Sequence, residues 1–198
     1  MNSRSIHPRT LSRRRGLTLV EMVLALAITG LVGAAIAAML SAVAYGSDSS
    51  RDMRNAAVQS KALSARLGAA VRGSRLVLDQ GEDFLVLWTT DADENGAPSL
   101  QEIQRLEHNG DDDALVSYRA DDSAPDAPYE LDDDFGALTR MLKGSDYFPA
   151  SVWGRDVTAW ALTLDDNDPQ AAALVSFRLT LAIGELEHTA IGAAALRN

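Results

Sequence analysis

The chain has 198 residues, a formal net charge of −10 and no cysteine. This length fits one domain with a short additional segment, and neither internal repeats nor a second domain is evident. Because cysteine is absent, the fold must hold together without disulfides.

The most apolar part of the chain is residues 17–44, which contain no proline. At about 1.5 Å per residue, a helix of this length crosses a hydrocarbon core of about 30 Å. The run is roughly twice as long as the apolar region of a cleaved secretory signal, which has about 7 to 15 residues. The sequence therefore predicts a membrane-spanning helix, with an uncleaved signal anchor as the alternative interpretation.

Positive charge before this segment sets its orientation. Five arginines and no acidic residue precede the span: Arg4, Arg9, Arg13, Arg14 and Arg15. Basic flanks stay on the cytoplasmic side, so residues beyond about 45 are expected on the opposite side of the membrane.

One carboxylate, Glu21, interrupts the apolar run near its start. An acidic side chain deep in a membrane costs about 2.5 kcal/mol or more on insertion scales. Its presence predicts a compensating partner.

The segment Arg13–Glu21, with the sequence RRRGLTLVE, and the apolar helix after it resemble the signal of type IV pilins and type II secretion pseudopilins. The resemblance implies that a prepilin peptidase cuts between Gly16 and Leu17 and methylates Leu17, which makes Glu21 the fifth mature residue. Leu17 departs from the pattern, in which phenylalanine is commoner. The new amine of a neighbouring subunit would be the counter-ion that Glu21 requires.

Small residues on the same helix have the spacing that lets membrane helices approach closely. They are Gly30, Ala34 and Ala38, with Gly33 and Ala37 beside them. Simple alanine enrichment of an apolar helix explains the same pattern, and both interpretations stay open.

The helical pattern continues to about residue 72, with Met53, Ala56, Ser60, Leu63, Leu67 and Ala70 on one stripe. We therefore expect four segments: a leader at 1–16, a membrane and filament-core helix at 17–45, the exposed half of that helix at 46–75, and a head at 76–198. The exposed half of the helix is basic, with a net charge of +4 from Arg51, Arg54, Lys61, Arg66, Arg72 and Arg75 against Asp48 and Asp52. The head has 25 acidic and 7 basic side chains, a net charge of −18, which would repel nucleic acid from this basic segment.

The head is predicted to be rich in β-strands. Strand patterns are found at Phe84–Trp88, Ala114–Tyr118, Val157–Leu164, Leu174–Ile183 and Leu186–Ala195. Gly184 and Glu185 between the last two indicate a hairpin, and 121–144 is predicted to be an exposed insertion with a helical turn or two near 137–142. The expected fold class is α+β, a long N-terminal helix packed on an antiparallel sheet, as in pilins.

Two absences point away from a major pilin, since members of that class often carry a C-terminal cystine and a proline at the position of Ala38. The layout most resembles a J-type minor pseudopilin. The resemblance implies other pilin or pseudopilin subunits, the prepilin peptidase, an inner-membrane assembly platform and membrane lipid as partners, and no nucleic acid.

One segment of the head has the spacing of a calcium loop. Its oxygen ligands would come from Asp91, Asp93, Asn95, the carbonyl of Ala97, Ser99 through water, and Glu102. Pro98 and a preceding strand do not fit such loops, and an Asp-Asn-Gly turn between two strands explains the same residues without a metal.

The sequence contains no catalytic motif, so we expect a non-enzyme with no catalytic residues. Two function classes remain. The first is a filament subunit that helps initiate or cap a type II secretion pseudopilus, or a minor pilin of a type IV pilus or DNA-uptake machine. The second is a membrane-anchored periplasmic module that binds calcium or a protein partner.

Overall fold

The computed structural model describes residues 18–125, 127–184 and 186–197, and the side chains of 44–52 also fall outside the description. The predicted cleavage between Gly16 and Leu17 lies outside the described residues. The chain divides between Ser47 and Asp48 into two compact units.

The first helix, α1, extends over Leu19–Gly73 and belongs to both units. In the first unit, Leu19–Val43 is apolar and long enough to cross a membrane, and its side chains are exposed. It is the one such helix in the described part of the chain. An apolar helix of this length near the N-terminus fits a single-pass membrane anchor.

The second unit is a head of two antiparallel sheets. Five strands, in the order β1-β2-β3-β4-β5, form the first sheet: β1 Leu76–Gln80, β2 Phe84–Trp88, β3 Ile103–Asn109, β4 Ala114–Arg119 and β5 Ala150–Gly154. Three strands, in the order β6-β7-β8, form the second: β6 Val157–Leu164, β7 Leu174–Ile183 and β8 Leu186–Ala195. A short helix, α2, occupies Phe135–Leu142 between β4 and β5.

The main core of the head joins one stripe of α1 to both sheets. Its helical members include Leu63, Leu67 and Val71, which pack with apolar side chains of β1 to β4 and of β6 to β8. The predicted stripe is largely correct, because Ala56 is also buried. Met53 is not part of it, since its side chain is 61% exposed.

The predicted fold class, a long helix with an antiparallel β-head, is confirmed. The expectation of one sheet was wrong, since β1 to β5 and β6 to β8 form two. The strands at 84–88, 114–118, 157–164 and the C-terminal hairpin are confirmed, and the positive φ of Gly184 (64°) fits the turn between β7 and β8. The strands β1, β3 and β5 had not been predicted.

A buried cation attaches α2 to the five-stranded sheet. Arg105 of β3 is 1% exposed, and its guanidinium donates to the Glu107 carboxylate (2.6 Å), to the Thr139 hydroxyl (3.0 Å) and to the Gly136 carbonyl (3.3 Å). Lys143, just after α2, also pairs with Glu107. The position of α2 therefore depends on a buried carboxylate with two cationic partners.

Candidate functional site

The N-terminus of α1 is built around Glu21 and Thr18. The Glu21 carboxylate accepts hydrogen bonds from the Thr18 backbone N–H (2.9 Å) and from the Thr18 hydroxyl (3.0 Å). In return, the Glu21 backbone N–H donates to the Thr18 hydroxyl oxygen (3.3 Å). This reciprocal arrangement is a capping box, in which a Thr-x-x-Glu sequence satisfies the free N–H groups of a helix start.

The capping box already stabilises part of the charge of Glu21, for which the sequence analysis predicted a partner in another subunit. The partial positive charge of the helix N-terminus and two donors from Thr18 stabilise the ionised carboxylate from within the same chain. Neither contribution neutralises the full negative charge. A cationic partner, such as the amine of a neighbouring subunit, remains a prediction for Glu21.

The small residues farther along α1 leave room for close contact with another helix. Apart from its chain neighbours and the nearby backbone of α1, a Cβ atom added at Gly30 or at Gly33 would meet no atom within 4 Å, and the side chains around them are exposed. A role in helix packing is therefore compatible with the space around these glycines.

In the head, the segment from Asp91 to Glu102 connects β2 to β3. The carboxylates of Asp91, Asp93 and Glu102 come together, with one oxygen of each within 4.8 Å of the others. Two residues of the segment have positive φ, Glu94 at 56° and Gly96 at 78°. The backbone therefore turns sharply where the calcium-loop interpretation places its glycine.

The remaining predicted ligands take part in the turn itself. The Asn95 side chain donates to Asp93 and accepts from the Ala97 N–H (2.7 Å). Ser99 is buried and donates its backbone N–H to Glu102 (3.1 Å). The bond from the Ala97 N–H to Asn95 is that of an Asx-type turn, and the bond from Ser99 to Glu102 belongs to a capping box at the short 3₁₀ helix Leu100–Glu102. The metal-free interpretation therefore explains the observed contacts.

Glu102 is already supplied with donors. Its two carboxylate oxygens accept hydrogen bonds from the Ala92 N–H, the Ser99 N–H and the indole N–H of Trp88 (3.2 Å). A calcium ion bound by both oxygens would have to compete with these donors. The site could hold calcium only with some rearrangement of Glu102.

Asp91 has a protein cation as its partner. It forms an ion pair with Arg75, whose guanidinium also lies over the Trp88 ring at 4.6 Å. Burial raises the pKa of Asp91, but hydrogen bonds from Arg75 and from the Gly96 N–H outweigh it and hold this pKa below its ordinary value. Asp91 is thus ionised at neutral pH with or without a metal.

A family model described as the prokaryotic N-terminal methylation motif matches residues 11–37. No curated protein and no solved structure matches the chain. The matched range contains Gly16, Leu17, Thr18 and Glu21, and it supports the resemblance to type IV pilins and pseudopilins; the head lies outside it.

Proposed function

We propose that this chain is a subunit of a pilus-like filament that is assembled from the inner membrane. In this proposal, a prepilin peptidase removes residues 1–16 and methylates Leu17. The head then lies on the periplasmic side and the apolar half of α1 enters the filament core.

The observation that carries the proposal is the position of Glu21. It lies inside the matched methylation motif and in the first turn of an apolar helix of membrane-spanning length. A carboxylate there is energetically costly in lipid, so we infer that it has a specific function. Pairing with the amine that cleavage creates at Leu17 of the next subunit is such a function.

This pairing would also set the register between subunits. A buried ion pair is not a strong source of stability, but removal of one partner leaves the other uncompensated at a cost of about 3 to 5 kcal/mol. A subunit shifted along the filament would incur that cost. The pairing of Glu21 with this amine would therefore favour the correct axial position of each subunit during assembly.

Within the family we propose a minor pseudopilin of a type II secretion system, of the J type, that helps to initiate or cap the filament. The support is the absence of cysteine, the presence of Ala38 where major pilins often have proline, and the acidic insertion before the C-terminal strands. A minor pilin of a type IV pilus or a DNA-uptake machine is the alternative. Deletion of the gene separates them, since a secretion subunit affects export and the alternatives affect pili or transformation.

A second candidate function is a membrane-anchored module whose head binds calcium or a protein partner. The meeting of Asp91, Asp93 and Glu102 is the observation that favours it. In that case α1 is only an anchor. The two functions therefore make opposite predictions for Glu21.

Substitution of Glu21 tests the proposal. Glu21→Gln keeps the size of the side chain and an acceptor for Thr18 but removes the charge, while Glu21→Ala removes both. We expect both variants to insert in the membrane with a folded head and to be absent from the sheared filament fraction. Thr29→Ala, which changes a polar residue bonded only to its own helix, is the matched control and should assemble normally.

Normal assembly of the Glu21→Gln variant would contradict the role of the charge. If the chain still performs its cellular function after residues 17–45 are replaced by an unrelated apolar span, the anchored module is favoured instead.

A further inference from the structure

The part of α1 that belongs to the head is covered on one side only. The buried side packs in the main core through a stripe that includes Leu63, Leu67 and Val71. On the opposite side, the residues that follow each other at three- and four-residue steps are exposed and small or aliphatic: Val58, Ala62, Ala65 and Ala69. This row, with the charged residues beside it, is the exposed helix face, and its short side chains leave room for another surface.

The exposed helix face is positively charged. Between Met53 and Gly73 the chain has four basic side chains and no acidic one: Arg54, Lys61, Arg66 and Arg72. Lys61 and Arg72 are exposed, and neither forms an ion pair with a residue that the structure describes. In a chain with 28 acidic side chains, a helix face without carboxylates is complementary in charge to an acidic surface.

The head has an acidic surface where several strand connections meet. Backbone hydrogen bonds join the turn after β3 to the start of β6, from the Val157 N–H to the Asp113 carbonyl (2.8 Å). The His108 N–H, just before that turn, donates to the Asp83 carbonyl (2.8 Å). The exposed carboxylates brought together there, which we call the acidic end, are those of Asp83, Asp111, Asp112, Asp113 and Asp156.

The acidic end is attached to α1 near the start of the exposed helix face. The side-chain amide of Gln59 donates to the carbonyl of Arg155, which directly precedes Asp156 (2.7 Å). Within one copy, however, the carboxylates of the acidic end do not pair with Lys61 or Arg72. Each copy therefore carries a basic face and an acidic end whose charges remain available to a neighbour.

We propose that the exposed helix face of one copy docks against the acidic end of a second copy of this chain. The contact is heterologous, because it joins two different surfaces, so it can repeat along a filament in which every copy has the same orientation. The anchors of all copies then stay in one membrane. The proposal rests on the filament function proposed above and does not depend on the assignment to a minor subunit.

The register set by Glu21 agrees with this contact. When the Leu17 amine of one copy pairs with Glu21 of the next, the two copies are shifted by four helical residues, about 6 Å. In copies of the same conformation and orientation, the acidic end lies near Gln59 of its own helix and four residues farther along the helix of its neighbour. That level is between Lys61 and Arg66, so two cations of the exposed helix face lie next to it.

The chain has two lysines, Lys61 and Lys143, and this scarcity allows a direct test. A water-soluble carbodiimide joins an amine to a carboxylate in contact with it and leaves no spacer. Applied to sheared filaments built from isotope-labelled and unlabelled full-length copies, it should link Lys61 of one copy to a carboxylate of residues 111–113 of another. The yield should decrease as salt is added, because salt screens exposed charges over about 10 Å at 0.1 M ionic strength.

Lys61→Arg is the matched control for the cross-link. This variant keeps the positive charge and removes the amine that the carbodiimide requires. It should enter filaments as the wild type does and give no link at residue 61.

An exchange of charges tests the pairing itself. Lys61→Glu should lower the amount of the chain in sheared filaments by about fivefold, because an attractive surface pair becomes repulsive. Addition of Asp111→Lys should restore this amount and the cross-link, now with the amine at residue 111. Both positions are exposed, so the melting temperature should not change.

Filaments in which Lys61 gives no link to residues 111–113 of another copy, or in which it is linked to a different protein, would overturn this contact and leave the filament function intact. A defect of Lys61→Glu that Asp111→Lys does not relieve would overturn it as well. Absence of the wild-type chain from the sheared fraction would overturn both the contact and the filament function.

Discussion

Thr18 and Glu21 hydrogen-bond to each other in both directions at the first turn of α1. The Thr18 hydroxyl donates to the Glu21 carboxylate at 3.0 Å and accepts from the Glu21 backbone N–H at 3.3 Å. The same carboxylate that we propose as the partner of a neighbouring amine is thus held in place by its own chain. A carboxylate with a fixed position can discriminate between registers of the next subunit better than a freely rotating one.

The first prediction concerns this positioning. Thr18→Val keeps the shape of the side chain but removes the hydroxyl, which weakens the helix start by about 1 kcal/mol and leaves Glu21 with one donor fewer. We expect a reduced amount of the variant in sheared filaments, with normal levels in the membrane. Thr18→Ser retains the hydroxyl and should assemble as the wild type does; equal defects in both variants would show that the hydroxyl is not the cause.

The second prediction concerns Glu107 and acid. Burial raises the pKa of Glu107, but hydrogen bonds and charge from Lys143 and Arg105 outweigh it, so this pKa lies below the ordinary value of 4.5. A lowered folded-state pKa means that the pair stabilises the fold above pH 4.5, and that this contribution is lost as pH falls through the folded-state pKa. The melting temperature of the wild-type chain should therefore decrease as the pH is lowered below 4.5.

Glu107→Gln should lower stability at neutral pH by about 3 to 5 kcal/mol, because Arg105 would remain buried without its counter-ion. The difference in melting temperature between this variant and the wild type should shrink below pH 4.5. Glu82→Gln, at an exposed position before β2, is the control. A difference between wild type and Glu107→Gln that stays constant with pH would contradict the assignment.

The third prediction concerns a glycine on β8. Gly192 faces Phe177 of β7, and a Cβ atom at position 192 would lie 2.4 Å from the Phe177 ring. Phe177 is 4% exposed and belongs to the main core, so it has little freedom to move. Gly192→Ala should destabilise the head by about 1 to 3 kcal/mol, measured by thermal unfolding.

Ala193→Ser, at the next and exposed position, is the control and should leave the melting temperature within about 1 °C of the wild-type value. If Gly192→Ala is as stable as this control, the contact between Gly192 and Phe177 is not as close as the structure has it.

The fourth prediction concerns calcium. If the segment from Asp91 to Glu102 binds it, competition from Arg75 and from the donors to Glu102 should place the affinity in the weak range of extracellular modules, about 10⁻⁴ to 10⁻³ M. Calorimetry should then show heat on calcium addition, and calcium should raise the melting temperature. Asp93→Ala should remove both effects, whereas Asp132→Ala, in another acidic cluster, should retain them. No heat with the wild-type chain would leave the segment as a turn without a metal.

The parts of the fold that follow from local pattern could be predicted from the sequence. The apolar run of α1 and the alternating or apolar strands β2, β4, β6, β7 and β8 are of this kind. The strand β3 was missed because Arg105 and Glu107 interrupt its apolar pattern, and their burial depends on α2, which is distant in sequence. The division into two sheets was missed because it depends on the pairing of β4 with β5 across the insertion.

At the candidate site, the role of Glu21 in assembly stays a prediction. Its bond to Thr18 was not predicted, although the spacing Thr-x-x-Glu is typical of a capping box. The meeting of Asp91, Asp93 and Glu102 followed from loop spacing. The ion pair of Asp91 with Arg75 did not, because Arg75 comes from the end of α1 and no local pattern links the two.

We infer that a prepilin peptidase exposes the amine of Leu17, without which its pairing with Glu21 is impossible. Mass spectrometry of the N-terminus of the full-length chain, expressed in cells with an active prepilin peptidase, tests this cleavage most directly. We expect a mature chain that begins with N-methylated Leu17, and a Gly16→Val variant that retains the leader. A wild-type chain that still begins at residue 1, or that is cut elsewhere, would contradict it.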